Sequence, residues 1–170
     1  KLDKTNKNHS IIIETKNLNG AFADAEGTLK IYKLKAPNRV LRPRPWPSPD
    51  YQELSQKEFI NTFPHDAFEN EEDPMHWSKD KLVFETTFDT KASKEIALNN
   101  IKKWDSGLYK IVLESKDRFG QTVQAEGKTM VFNESESSVP DNALFSITTN
   151  KNIYQVGDHI ELTLASAAKN

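Results

Sequence analysis

The sequence predicts an all-β fold, an antiparallel immunoglobulin-like sandwich interrupted by a proline-rich insertion carrying one short helix. Three observations predict it. Short alternating runs such as Leu82-Val83-Phe84-Glu85-Thr86-Thr87-Phe88 recur along the chain, with no strand–helix–strand alternation between them. Asp105-Ser106-Gly107-Leu108-Tyr109 has the D-x-G-x-Y spacing of a tyrosine corner, a tyrosine whose hydroxyl returns to nearby backbone. Five of the eight prolines, Pro37, Pro43, Pro45, Pro47 and Pro49, fall in one stretch. Proline lacks a backbone donor and fixes φ, so that stretch is neither a central strand nor a helix.

Taken in order, Lys1–His9 is polar with a charge of +2 and reads as a frayed lead-in. Ile11-Ile12-Ile13 opens a strand that ends near Asn17–Gly20. Thr28–Leu34 is the second strand, with Leu29 and Ile31 on one face. The insertion spans about 35–80. Its prolines suggest an extended, polyproline-like path over the surface. Ser55-Gln56-Lys57-Glu58 is a capping-box pattern that starts a helix over Gln56–Thr62, stopped by Pro64. Strands are then expected at Leu82–Phe88, Glu95–Leu98 and Leu108–Ser115. Asp117-Arg118-Phe119-Gly120 is a hairpin turn, and Gln121–Phe132 is the returning strand. Residues 1–133 thus form one domain with an insertion, and 134–142 form a linker. Residues 143–170 supply two more strands, Ala143–Thr149 and His159–Ala165, the opening of a further domain. A lone hairpin cannot make a core. These two strands must dock, pair with another copy, or stay poorly ordered. Open edges leave a dimer of the piece as one outcome.

Composition excludes several function classes. Lys and Arg total 23 against 25 Asp and Glu, a net charge of −2, which argues against a generally basic nucleic-acid binder. No apolar run approaches the ~18 residues of a membrane span. Cysteine is absent, so these residues offer no disulfide, thiol nucleophile or thioester. The sequence starts at Lys1 and reads as a processed or excised piece of a longer protein.

Candidate chemistry is sparse. His65, Asp66, Glu69, Glu71, Glu72, Asp73 and His76 crowd into one acidic stretch, 64–80, where oxygen and imidazole ligands could hold a cation. The spacing fits no EF-hand, and a solvated acidic loop is the plainer account. Lys35, Arg39, Arg42 and Arg44 with Trp46 form a basic stretch of the kind that binds single strands. An internal match of this stretch to the acidic one explains both more simply. Pro43-Arg44-Pro45-Trp46-Pro47 also reads as a proline-rich ligand for a partner domain. The favoured role for Trp46 and Trp77 is to anchor the insertion. His9, His65, His76 and His159 have no convincing Ser or Asp partners, so no catalytic residue, metal site or cofactor is assigned. Asn133-Glu134-Ser135 matches the glycosylation sequon.

The segment from Phe145 to Leu164, with Tyr154-Gln155-Val156-Gly157-Asp158 between its strands, resembles the opening of a macroglobulin domain. Trp104–Phe132 is similar to the last two strands of such a domain. The chain as a whole resembles an internal piece of a bacterial alpha-2-macroglobulin family protein, apart from the Pro37–Asp80 insertion. The resemblance implies a large protease trap in the cell envelope, periplasmic or a lipoprotein. Cleavage of a bait region makes its shell of domains rearrange around the protease. The piece would act as shell and spacer, with neighbouring domains and target proteases as partners and no catalysis of its own. Asp105, Gly107, Tyr109, Trp46 and Trp77 would be structural. The competing reading is a cell-surface β-sandwich adhesin or carbohydrate-binding module, in which Trp46, Tyr51 and Trp77 form a sugar platform.

Overall fold

The computed structural model describes residues 1–133, 136, 139–149, 151 and 153–167. The chain divides into two compact units, 1–35 with 78–133 and 36–77 with 134–170.

The first unit is all-β. Its main sheet has the order β1-β7-β6-β3-β4, formed by β1 (Leu2–Asp3), β7 (Thr122–Phe132), β6 (Gly107–Lys116), β3 (Glu26–Leu34) and β4 (Lys79–Asp89). A second, two-stranded sheet joins β2 (Ser10–Ile12) to β5 (Glu95–Ala97). Alternation decides which side chains are buried. Register places Leu29 opposite Leu113 and Ile31 opposite Ile111, so all four share a face. That face meets Ile13, Leu98, Ile101 and Trp104 in one apolar cluster with Phe88, Tyr109 and Val131. Burying this set is the main stabilising term of the unit. The opposite face is largely polar and carries the ion pairs Lys110–Glu126 (2.6 Å) and Lys30–Glu85 (3.6 Å).

Gly27 shows how closely β3 and β6 approach. A Cβ there would lie 2.0 Å from the carbonyl oxygen of Glu114 and 2.9 Å from the Phe88 ring. Only glycine fits that gap.

Two expectations need correction. The lead-in is not frayed throughout: Leu2–Asp3 pairs in parallel with Val131–Phe132, and His9 Nε2 lies 2.7 Å from the Asp3 carbonyl oxygen. A parallel two-residue strand leaves no periodicity to read, because its partner lies at the far end of the unit. The strand expected to run on from Ile11 stops at Ile12. The chain instead turns on Asn17, whose Oδ1 accepts from the N–H groups of Asn19 and Ala21 at 3.0 Å each.

The second unit contains the insertion and the C-terminal hairpin. The helix α1 (Gln56–Thr62) has the expected bounds, with both halves of the Ser55–Glu58 capping box present. Strands β8 (Phe145–Thr149) and β9 (Leu162–Ser166) pair antiparallel, Ile147 opposite Leu164. Phe145, Ile147, Leu162 and Leu164 share one face and are each about half exposed. The Tyr154–Asp158 segment forms the turn before β9. Gly157 takes φ +95, and the Asp158 carboxylate accepts from the Gln155 N–H (3.0 Å) and the Lys151 ammonium (3.3 Å). Four positions of the proposed linker, residues 134, 135, 137 and 138, and with them most of the sequon, lie outside the described residues.

Candidate functional site

The insertion is held by charge. Arg39 donates to both carboxylate oxygens of Glu71 and to the carbonyls of Pro64 (3.1 Å) and Asp66 (2.9 Å). Arg42 makes a two-pronged pair with Asp66. Two ion pairs, Arg39–Glu71 and Arg42–Asp66, thus join the basic stretch to the acidic one, and the planar guanidinium forks suit carboxylates better than a lysine would. Arg42 holds the Asp66 carboxyl below the usual carboxylate range, first through its hydrogen bonds and then by charge, with Arg44 and His65 adding to the effect.

Three acids of the stretch, Asp66, Glu71 and Asp73, are committed to protein partners. Besides Asp66 and Glu71, the Asp73 carboxylate accepts from the Met75 N–H (3.0 Å) and lies 3.0 Å from His76 Nδ1. His65 Nδ1 lies 3.0 Å from the Val40 carbonyl oxygen. Among the described residues, no group of three or more His, Asp or Glu side chains is arranged to hold a metal ion.

Between the proline stretch and α1 lies a cleft of about 480 Å³. Phe59 and Phe63 line it from the helix. They lie four residues apart on one helical face, with ring centroids 5.4 Å apart. Pro43, Pro45, Pro49 and Trp46 line it from the proline stretch. Arg42, Arg44, Asp66 and Gln52 supply the polar lining. Arg44 donates to the Ser48 hydroxyl and to the carbonyl of Ala67, a residue that is 1% exposed.

The two tryptophans assigned together behave differently. Trp77 is half-buried and its Nε1–H donates to the Glu71 carbonyl at 2.7 Å. Trp46 is 67% exposed, so it is not a buried peg; it stands at the cleft, and Tyr51 is 78% exposed. Within the insertion, Arg39, Arg42 and Arg44 tie the proline stretch to residues 64–71 through ion pairs and carbonyl bonds, which suit a chain with few backbone donors. Tyr109 is buried, its ring centroid 5.3 Å from that of Trp104, and its hydroxyl bonds back to the Asp105 carbonyl. Gly107, buried between them in sequence, has φ +132.

Sequence reasoning missed the contributions of Phe59, Phe63, Gln52 and Arg44 to a cleft. The Phe59/Phe63 spacing was a visible signal. A second, open trough of about 1190 Å³ in the first unit is lined by acids such as Asp24, Glu26, Asp89 and Asp117 together with Lys116 and Arg118. Among the described residues, no helix is long and apolar enough to cross a membrane. No protein family model matches this chain, and comparison with curated proteins and with solved structures finds no match.

Proposed function

We propose that this chain is a structural and interaction module of a bacterial alpha-2-macroglobulin-like protease trap, working as shell and spacer in the cell envelope and performing no catalysis. On this reading the first unit is an immunoglobulin-like sandwich of macroglobulin type. The observation that supports it is an order along the chain. A β-unit ends in the Tyr109-bearing hairpin β6–β7, and a second hairpin with the Tyr154-x-x-Gly157-Asp158 turn follows. Its partners are neighbouring domains of the parent polypeptide and the proteases that parent encloses. The test uses the full-length parent mixed with a protease. The expected result is a protease that still cleaves a small peptide substrate but not a large protein one. Equal loss or equal retention of both activities sinks the reading.

A second reading has a specific observation in its favour. The exposed ring of Trp46 beside an aromatic-walled cleft suits a binding module for carbohydrate, since such sites pair apolar plates with a few placed polar groups. Loss of glycan binding on Trp46→Ala supports it, and a glycan array with no binding of the unaltered chain removes it.

A further inference from the structure

We infer that the cleft between the proline stretch and α1 receives an acidic sugar residue, a pyranose ring carrying a carboxylate. This rests on the carbohydrate-binding reading and specifies its ligand class.

The walls select for a flat apolar face. Trp46 offers an exposed plate, and Phe59, Phe63 and three prolines line the cleft around it. The C–H face of a pyranose can lie on such rings, which bury apolar area at little entropic cost because proline and aromatic side chains are stiff.

The charge selects for an anion. Arg42 and Arg44 bring two positive charges and Asp66 one negative, a balance of +1 at the lining. Arg42 is committed to Asp66. Arg44 is half-buried, and the partners recorded for it, the Ser48 hydroxyl and the Ala67 carbonyl, are both neutral. Its charge also acts on Asp66, but among the described residues no hydrogen bond or ion pair joins it to a carboxylate. A guanidinium drawn partly out of water beside apolar walls attracts a carboxylate more strongly than one in bulk solvent.

The remaining polar group suits hydroxyls. Gln52 lines the same cleft, and its amide has no hydrogen-bond partner among the described residues. An amide both donates and accepts, as a sugar hydroxyl does. A neutral apolar ligand would leave Arg44 and Gln52 unused, and a bare anion would leave the aromatic walls unused. An extended peptide is disfavoured because residues 43, 45, 47 and 49 are prolines and offer no N–H for main-chain pairing.

The experiment titrates the 170-residue chain by calorimetry with trisaccharides of galacturonate, glucuronate and mannuronate, and with their neutral hexose counterparts. At least one uronate is expected to bind roughly tenfold or more tighter than its neutral counterpart, and that advantage shrinks at about 1 M salt. Trp46→Ala, at an exposed position, abolishes binding with an unchanged melting temperature. Arg44→Gln removes the uronate preference and Arg44→Lys keeps part of it. Because Arg44→Gln also loses the bonds to Ser48 and Ala67, the uronate-to-neutral ratio and its salt dependence in the unaltered chain decide the charge claim by themselves. Equal binding of acidic and neutral sugars overturns the acidic ligand and leaves the carbohydrate-binding reading standing. No binding of any sugar at millimolar concentration overturns both.

Discussion

The hydroxyl of Tyr109 donates to the carbonyl oxygen of Asp105 at 2.7 Å, across four residues. The ring is 1% exposed and packs on Trp104, so the hydroxyl has been withdrawn from water to make this bond. Tyr109→Phe keeps the packing and orphans one carbonyl lone pair. The expected loss is about 1–2 kcal/mol, read as a lower urea midpoint at unchanged slope. An unchanged midpoint would mean the bond contributes nothing to the fold.

Gly27→Ala is expected to cost more than a glycine-to-alanine change usually does. The added methyl would meet the Glu114 backbone oxygen at 2.0 Å, and backbone cannot swing aside as a side chain can. Separating β3 from β6 there disturbs Leu29 and Phe88 next to it. The predicted loss is about 1–3 kcal/mol, measured by thermal and urea unfolding. Gly127→Ala is the control, because nothing lies within 4 Å of its Cβ position.

Arg39 ties three parts of the insertion together through Glu71, Pro64 and Asp66. Its side chain is 13% exposed and that of Glu71 is 22% exposed. Arg39→Met keeps the apolar stem but leaves a mostly buried carboxylate with the Phe68 N–H (2.8 Å) and no cation, and takes the guanidinium donor from two carbonyls. The expected cost is about 2–3 kcal/mol, localised to 36–77. Limited proteolysis should cut within that range in the variant and spare it in the unaltered chain.

The Arg42–Asp66 pair gives a pH dependence with a definite sign. The folded carboxyl titrates below its ordinary value of 3.8, so the ionised form is the one favoured by folding. The contribution is fully present above the unfolded value and fades as pH falls through the lowered folded value. The side-chain carboxyl resonance of Asp66 should therefore titrate below that of an unpaired aspartate, and Arg42→Gln should move it upward. An unmoved titration would show that the pair is not formed in solution.

Much of the fold was legible because it is local. The bounds of α1 follow from Ser55, Glu58 and Pro64, all within nine residues of the helix start. The alternation of β3 and β6 announced which side of each strand is buried, and Asp117–Gly120 announced the hairpin between β6 and β7. The partnership of the basic and acidic stretches was readable from charge, although not its pairs. What escaped the reading is non-local. Nothing in Leu2–Asp3 names Val131–Phe132 as its parallel partner, and nothing in Trp46 says that it stays outside while Trp77 finds the Glu71 carbonyl.

The sequence by itself determined the all-β character, the single short helix, the turns and the absence of thiol chemistry from these residues, because period, proline placement, caps and composition act over a few residues. Only the tertiary structure decided that Arg39, Arg42 and Arg44 tie the insertion together, that Phe59 and Phe63 line one cleft with Trp46, and that the hydrogen bonds of Arg44 go to neutral groups. Those outcomes depend on which distant groups compete for each donor and each apolar face, and that competition is settled only when the chain closes on itself.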